Sequence, residues 1–136
     1  MKRMTNLFVA LMVAFVMVSC AEKKTFEVLN GEWNVVTIGE MAVPDSVDAF
    51  LGFNVAEQLV YGNAGCNHLT GTLSAEVSPE VPMFAALGST RMWCADMAVE
   101  NALLPALGQV VDFKVDGNNL YFLDAAGSTV VSLEKR

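Results

Sequence analysis

Basic residues are scarce in this 136-residue chain: eight Lys and Arg stand against fifteen Asp and Glu, for a net charge of −7. Such a chain repels a phosphate backbone, which argues against nucleic acid as a partner. Histidine is reduced to one residue and cysteine to three, so few groups are available for metal ligation or acid–base work. The sequence contains no GxSxG, no glycine-rich phosphate loop ending in Lys and no HExxH, and the hydrolase, nucleotide-binding and zinc-protease patterns are therefore missing. Its one long apolar run, Leu7 to Val18, has twelve residues. As a helix at about 1.5 Å per residue it reaches roughly 18 Å, short of the ~30 Å hydrocarbon core, so it makes a poor membrane span.

That run has the flanks of a secretory signal instead. Lys2 and Arg3 give a positive start, and Ser19 and Cys20 close the apolar stretch, which marks residues 1–19 as a leader. The end of the run, "VMVSC", resembles the lipobox of bacterial lipoproteins, with Met17 where leucine is commoner. The resemblance implies that Cys20 becomes the first residue of the mature chain and carries lipid on its sulfur and amine. A buried methylene contributes about 0.8 kcal/mol and one acyl chain holds only marginally, so several chains on one cysteine attach a protein durably. The polar stretch "AEKKTFE" then reads as a tether, with residues 20–25 linking anchor to domain. The expected location is the bacterial cell envelope, at the outer membrane, with the bilayer itself as a partner through Cys20. Glu22, second after the cysteine, stands where lipoprotein sorting is influenced.

All fifteen acidic residues follow Ser19 but only six of the basic ones do, so the mature part carries six against fifteen, net −9. Pairs such as Asp45 with Asp48, or Asp112 with Asp116, are expected by chance at this acidity and read as solvated surface. The mature chain reads as short strands interrupted once. "GEWNVVTIGE" alternates through Trp33, Val35 and Thr37, the period of a half-buried strand. Further strands are predicted around Phe50–Val55, Leu59–Tyr61, Leu69–Leu73 and Val81–Ala85, each bounded by Gly, Asn or Pro. "VVDFKV", "LYFL" and "TVVSLE", separated by the turns "DGNN" and "DAAGS", predict a three-strand meander. Only "ADMAVENALLPALGQV" reads as helix, with Asp96 as N-cap, an apolar stripe of Met97, Leu103, Leu104 and Leu107, and Gly108 as stop. Pro105 is expected to kink or break it near Leu104, because proline lacks the backbone donor and crowds the preceding turn. The prediction is one β-rich domain over residues 26–136 with a single helix.

Two cysteines remain if Cys20 carries lipid. In an exported protein Cys66 and Cys94 favour a disulfide. The competing reading gathers Cys66, His68 and Cys94 around a soft metal such as zinc or copper, since thiolate and imidazole suit both, but three ligands fall short of a CxxC pattern. Gly65-Cys66-Asn67 followed by Gly71, and Thr90-Arg91-Met92-Trp93-Cys94, resemble the GCNxxxG and TxMxC motifs of the META domain (HslJ-like) family. Gly65, Cys66, Asn67, Gly71, Thr90, Met92 and Cys94 are the motif positions. Leu73 stands where that family often has an aromatic residue. The resemblance covers nearly all of the mature chain and implies an α+β fold: a small antiparallel, partly closed β domain with one helix packed against it. It also implies a secreted or envelope protein, with a link to stress in some relatives, and no established reaction or cofactor.

The residues agree with that silence. His68 two positions from Cys66 shares a strand face with it, as a base beside a nucleophile would, but a lone histidine at a turn reads as surface. Trp33 and Trp93 read as core, because large aromatics in a small chain are needed for burial. The expected function is a non-enzymatic envelope lipoprotein whose domain binds an envelope protein partner or serves in stress. The alternative is a thiol-redox or soft-metal-binding protein built on Cys66, His68 and Cys94.

Overall fold

Alternation of apolar and polar side chains sets the first strand, β1 (Gly31–Ile38), in which Trp33, Val35 and Ile38 point into the core. The expected alternation through Thr37 shifts by one residue, because a bulge between Val35 and Thr37 changes which side chains face inward. This computed structural model describes residues 25–136; the leader, Cys20 and the tether up to residue 24 lie outside the described residues. A 3-10 turn at Phe26–Leu29 leads into β1, and Trp33 Nε1 donates back to the Leu29 carbonyl at 2.9 Å.

The strands that follow are β2 (Met41–Ala42), β3 (Ala49–Asn54), β4 (Leu59–Ala64), β5 (His68–Leu73) and β6 (Phe84–Ser89). The helix α1 (Ala98–Leu107) comes next, then β7 (Asp112–Asp116), β8 (Asn119–Leu123) and β9 (Thr129–Lys135). All pairings are antiparallel, in the order β6-β5-β4-β3-β1-β9-β8-β7 with β2 on β1, and the sheet curls into a half-barrel. The predicted meander is β7-β8-β9, and its last strand returns to pair with β1, joining the two halves of the chain in one sheet. The fold is therefore the α+β, largely antiparallel architecture expected from the sequence.

The concave face holds the core. Phe53, Phe84 and Phe122 meet with ring centroids 5.2–6.1 Å apart, and Trp33, Leu51, Leu69, Leu120 and Leu133 complete the layer. α1 packs against β1, β4 and β9 through Val99, Leu103 and Leu107. Aromatic pairs in offset and edge geometry add about 0.5–1.5 kcal/mol each beyond their burial.

Three local expectations are corrected. The strand expected near Val81–Ala85 begins at Phe84, because Pro82 has no N–H to give a ladder and the Met83 N–H bonds the Val110 carbonyl instead. Met97 rather than Asp96 is the N-cap; Asp96 acts from one residue outside, its Oδ1 accepting from the Ala98 N–H at 3.0 Å. The helix also continues through Pro105 to Leu107. Pro105 sits in the exposed last turn, and the acceptor deprived of a donor belongs to Asn101, an exposed residue whose carbonyl water can satisfy. Replacing Pro105 by Ala restores that donor without filling the core. A gain of about 1 kcal/mol is expected, seen as a rise of roughly 4 °C in a thermal melt followed by circular dichroism. A fall in Tm would show that packing depends on the proline ring.

Candidate functional site

The β4–β5 hairpin turns on Gly65-Cys66-Asn67. Gly65 has φ +113°, a left-handed conformation that disfavours side chains, and a Cβ there would press on Val47 Cγ1 at 3.2 Å. Its N–H donates to Asn63 Oδ1 at 2.8 Å, and the Ala64 N–H donates to the Asn67 carbonyl at 2.9 Å, which closes the turn. Gly71 faces the bulge of β6, where Ala86 adopts φ +50°; a Cβ on Gly71 would stand 2.8 Å from Leu87 Cδ2 and 3.1 Å from the Ala85 carbonyl. Leu73, at the family's aromatic position, is buried in the core.

Asn67 turns inward and is only 2% exposed. Its backbone N–H donates to Glu100 Oε1 at 2.9 Å and its Nδ2 donates to Glu100 Oε2 at 2.8 Å. Nδ2 also donates to the Met92 carbonyl at 3.2 Å, while Oδ1 accepts from the Met92 N–H at 2.7 Å and from Thr90 Oγ1 at 2.9 Å. Thr90 Oγ1 in turn accepts from the His68 N–H at 3.1 Å, and the Thr90 N–H donates to the His68 carbonyl at 3.0 Å. One buried amide thus ties the hairpin, the segment before the helix and the helix itself into one network. Among the described residues no buried side-chain nitrogen or oxygen lacks a partner.

Glu100 is 5% exposed and stands in the first turn of α1, where unsatisfied backbone N–H groups favour a carboxylate. It belongs to neither sequence motif. Its signal in the sequence is a carboxylate three and seven residues before Leu103 and Leu107, on the buried stripe of the helix. A charge in that place requires a partner, and Asn67 supplies it.

Cys66 and Cys94 form a disulfide with Cα atoms 6.1 Å apart. This second tie fastens the same segment to the same corner. His68 is exposed at the start of β5, and among the described residues no group of three or more His, Cys, Asp and Glu is arranged to hold a metal. The motif positions Thr90, Met92 and Cys94 all reach the corner, Met92 through its backbone alone, with its side chain 54% exposed. Trp33 is core as expected, but Trp93 is not: its side chain is 84% exposed. The disulfide at Cys94 and the hydrogen bonds at Met92 fix the chain on either side of Trp93, and Trp93 between them stands in solvent.

A half-barrel closed by one helix and stapled at a GCN corner defines a scaffold whose motif residues hold each other. The META domain family model matches residues 25–136, and the chain belongs to that family. Among solved structures it is similar to a protein from Burkholderia xenovorans determined by NMR, with 21% identity, TM-score 0.64, and coverage of 80% of this chain and 84% of that one. A DUF4847 family protein from Bacteroides vulgatus, solved as a crystal structure, aligns with 15% identity and TM-score 0.53 over 79% of this chain and 94% of its own. At these identities the likeness shows the fold alone. No curated protein matches the chain.

Proposed function

We propose that the chain is a non-enzymatic lipoprotein of the bacterial cell envelope, anchored through lipid on Cys20, whose META domain is a rigid scaffold for binding a protein partner, with a role in stress. The observation that carries the binding part is the contrast at the GCN corner. The groups with chemical potential, Cys66, Cys94, Asn67, Thr90 and Glu100, are engaged with one another, while Trp93 and the Met92 side chain beside them stand in solvent. Trp, Met and Arg are the residue types enriched at the centres of protein interfaces, and Arg91-Met92-Trp93 presents all three in a row. A loop fixed before binding loses little conformational entropy on association.

The anchor is tested by growing cells that express the full chain with an alkyne-bearing fatty acid. Label on the wild-type protein and none on Cys20→Ser is the expected result. Absence of label on the wild type would remove the lipoprotein reading and leave the domain's binding role to stand separately.

A further inference from the structure

The exposed loop has a counterpart on the same molecule. A groove of about 440 Å³ lies between β1, the β2–β3 connection and the end of β9. Its lining is mixed and more polar than apolar: Val36, Val43, Pro44 and Val47 supply apolar side chains, and Asn34, Asp45 and Glu134 stand among them. Asp48 and Arg136, also on the lining, pair with each other. The projecting loop is complementary in kind: an indole and a thioether from Trp93 and Met92, and a cation on Arg91, for which no ion pair is formed among the described residues.

Groove and loop stand at the same end of the half-barrel. Val47 packs against Gly65, the next residue Cys66 is bonded to Cys94, and Cys94 adjoins Trp93. Within one chain Trp93 points into solvent rather than into the groove. When projection and recess share one end of a molecule, a two-fold axis lets each copy insert its projection into the other's recess, and the contact closes on itself.

We infer that the partner of the Trp93 loop is a second copy of this chain, forming a two-fold dimer in which Trp93 of each copy enters the Val36–Val43–Val47 groove of the other and Arg91 meets Asp45 and Glu134. The inference rests on the binding role proposed above and names its partner. The acidic charge of the chain opposes association, and burial of two indoles, at about 150–250 Å² each, together with Arg91 at Asp45 and Glu134 offsets it locally. Phe26, beside Val55 and Leu73, lies at the other end of β4 and β5, so the dimer leaves the N-terminal approach open.

The test places the photo-crosslinking amino acid p-benzoylphenylalanine at position 93 of the full-length chain in bacterial cells. The expected product has twice the mass of the chain, with cross-linked peptides mapping to the segment from Val36 to Val47. Val43→Lys, which sets a like charge against Arg91 and narrows the groove, is expected to reduce that product at least about tenfold. Trp93→Ser, at an exposed position, is expected to leave the circular dichroism spectrum of the folded domain unchanged while the purified chain sediments as a monomer where the wild type sediments as a dimer. Cross-links to a different protein would overturn the dimer and retain the binding role. Cross-links to nothing, or a dimer indifferent to Val43→Lys, would overturn the dimer, and the first of these would remove the binding role with it.

Discussion

Asn67→Ala is expected to cost about 3–5 kcal/mol, because it removes one of the two donors to the buried Glu100 carboxylate and leaves two further groups of the corner without their acceptor. The backbone N–H of residue 67 remains, but the 2.8 Å bond from Nδ2 to Glu100 is lost, and the Met92 N–H and Thr90 hydroxyl lose their acceptor. At roughly 4 °C per kcal/mol for a domain of this size, Tm should fall by about 12–20 °C in a calorimetric scan. Glu100→Gln is a milder case. It keeps an acceptor for the Asn67 N–H but sets a second amide N–H against Nδ2, two donors facing each other, at a cost of about 1–3 kcal/mol. Glu100→Leu combined with Asn67→Ala should recover part of the loss of Asn67→Ala alone, since the buried charge is then gone. A loss below about 1 kcal/mol for Asn67→Ala would mean that water reaches the carboxylate and that the network does not carry the corner.

The strands were legible in the sequence where one face is buried and the other wet, as in β8, whose Leu120 and Phe122 alternate with partly exposed Tyr121. Where the pattern broke, a local device had intervened: the bulge in β1 moved burial from Thr37 to Ile38, and Pro82 delayed β6. Neither a bulge nor a shifted start changes composition, so periodicity does not register them. At the corner, the glycines, the asparagine and the cysteine pair were visible because their chemistry is local or compositional. Glu100 was not, because its partner is 33 residues away and only the fold brings the two together. Trp93 failed in the opposite direction: its size argued for burial, but its neighbours on both sides are fixed by ties of their own and it stands in solvent.

The disulfide should contribute about 3–4 kcal/mol, mostly by restricting the unfolded chain across the 28-residue separation between Cys66 and Cys94. Thiol-reactive reagents are expected to label neither cysteine in the native protein and both after reduction. Cys66→Ala with Cys94→Ala should lower stability by that amount, and either change alone by at least as much, since it leaves the remaining thiol unpaired and open to intermolecular oxidation. Two free thiols before reduction, with one stoichiometric metal in the intact mass and sensitivity to His68→Ala, would instead establish the soft-metal reading. The two ties at the corner make a further separation possible. The disulfide acts chiefly on the unfolded ensemble, whereas the hydrogen bonds from Asn67 act on the native position of the Thr90–Cys94 segment. Reduction alone should therefore leave the Met92 amide proton protected in native-state hydrogen exchange. Asn67→Ala is expected to release it even with the disulfide intact, because the Met92 N–H then has no acceptor. If Met92 lost its protection on reduction of the wild type, the covalent tie would be the one that positions the Trp93 loop, and Asn67 would serve mainly to accommodate Glu100.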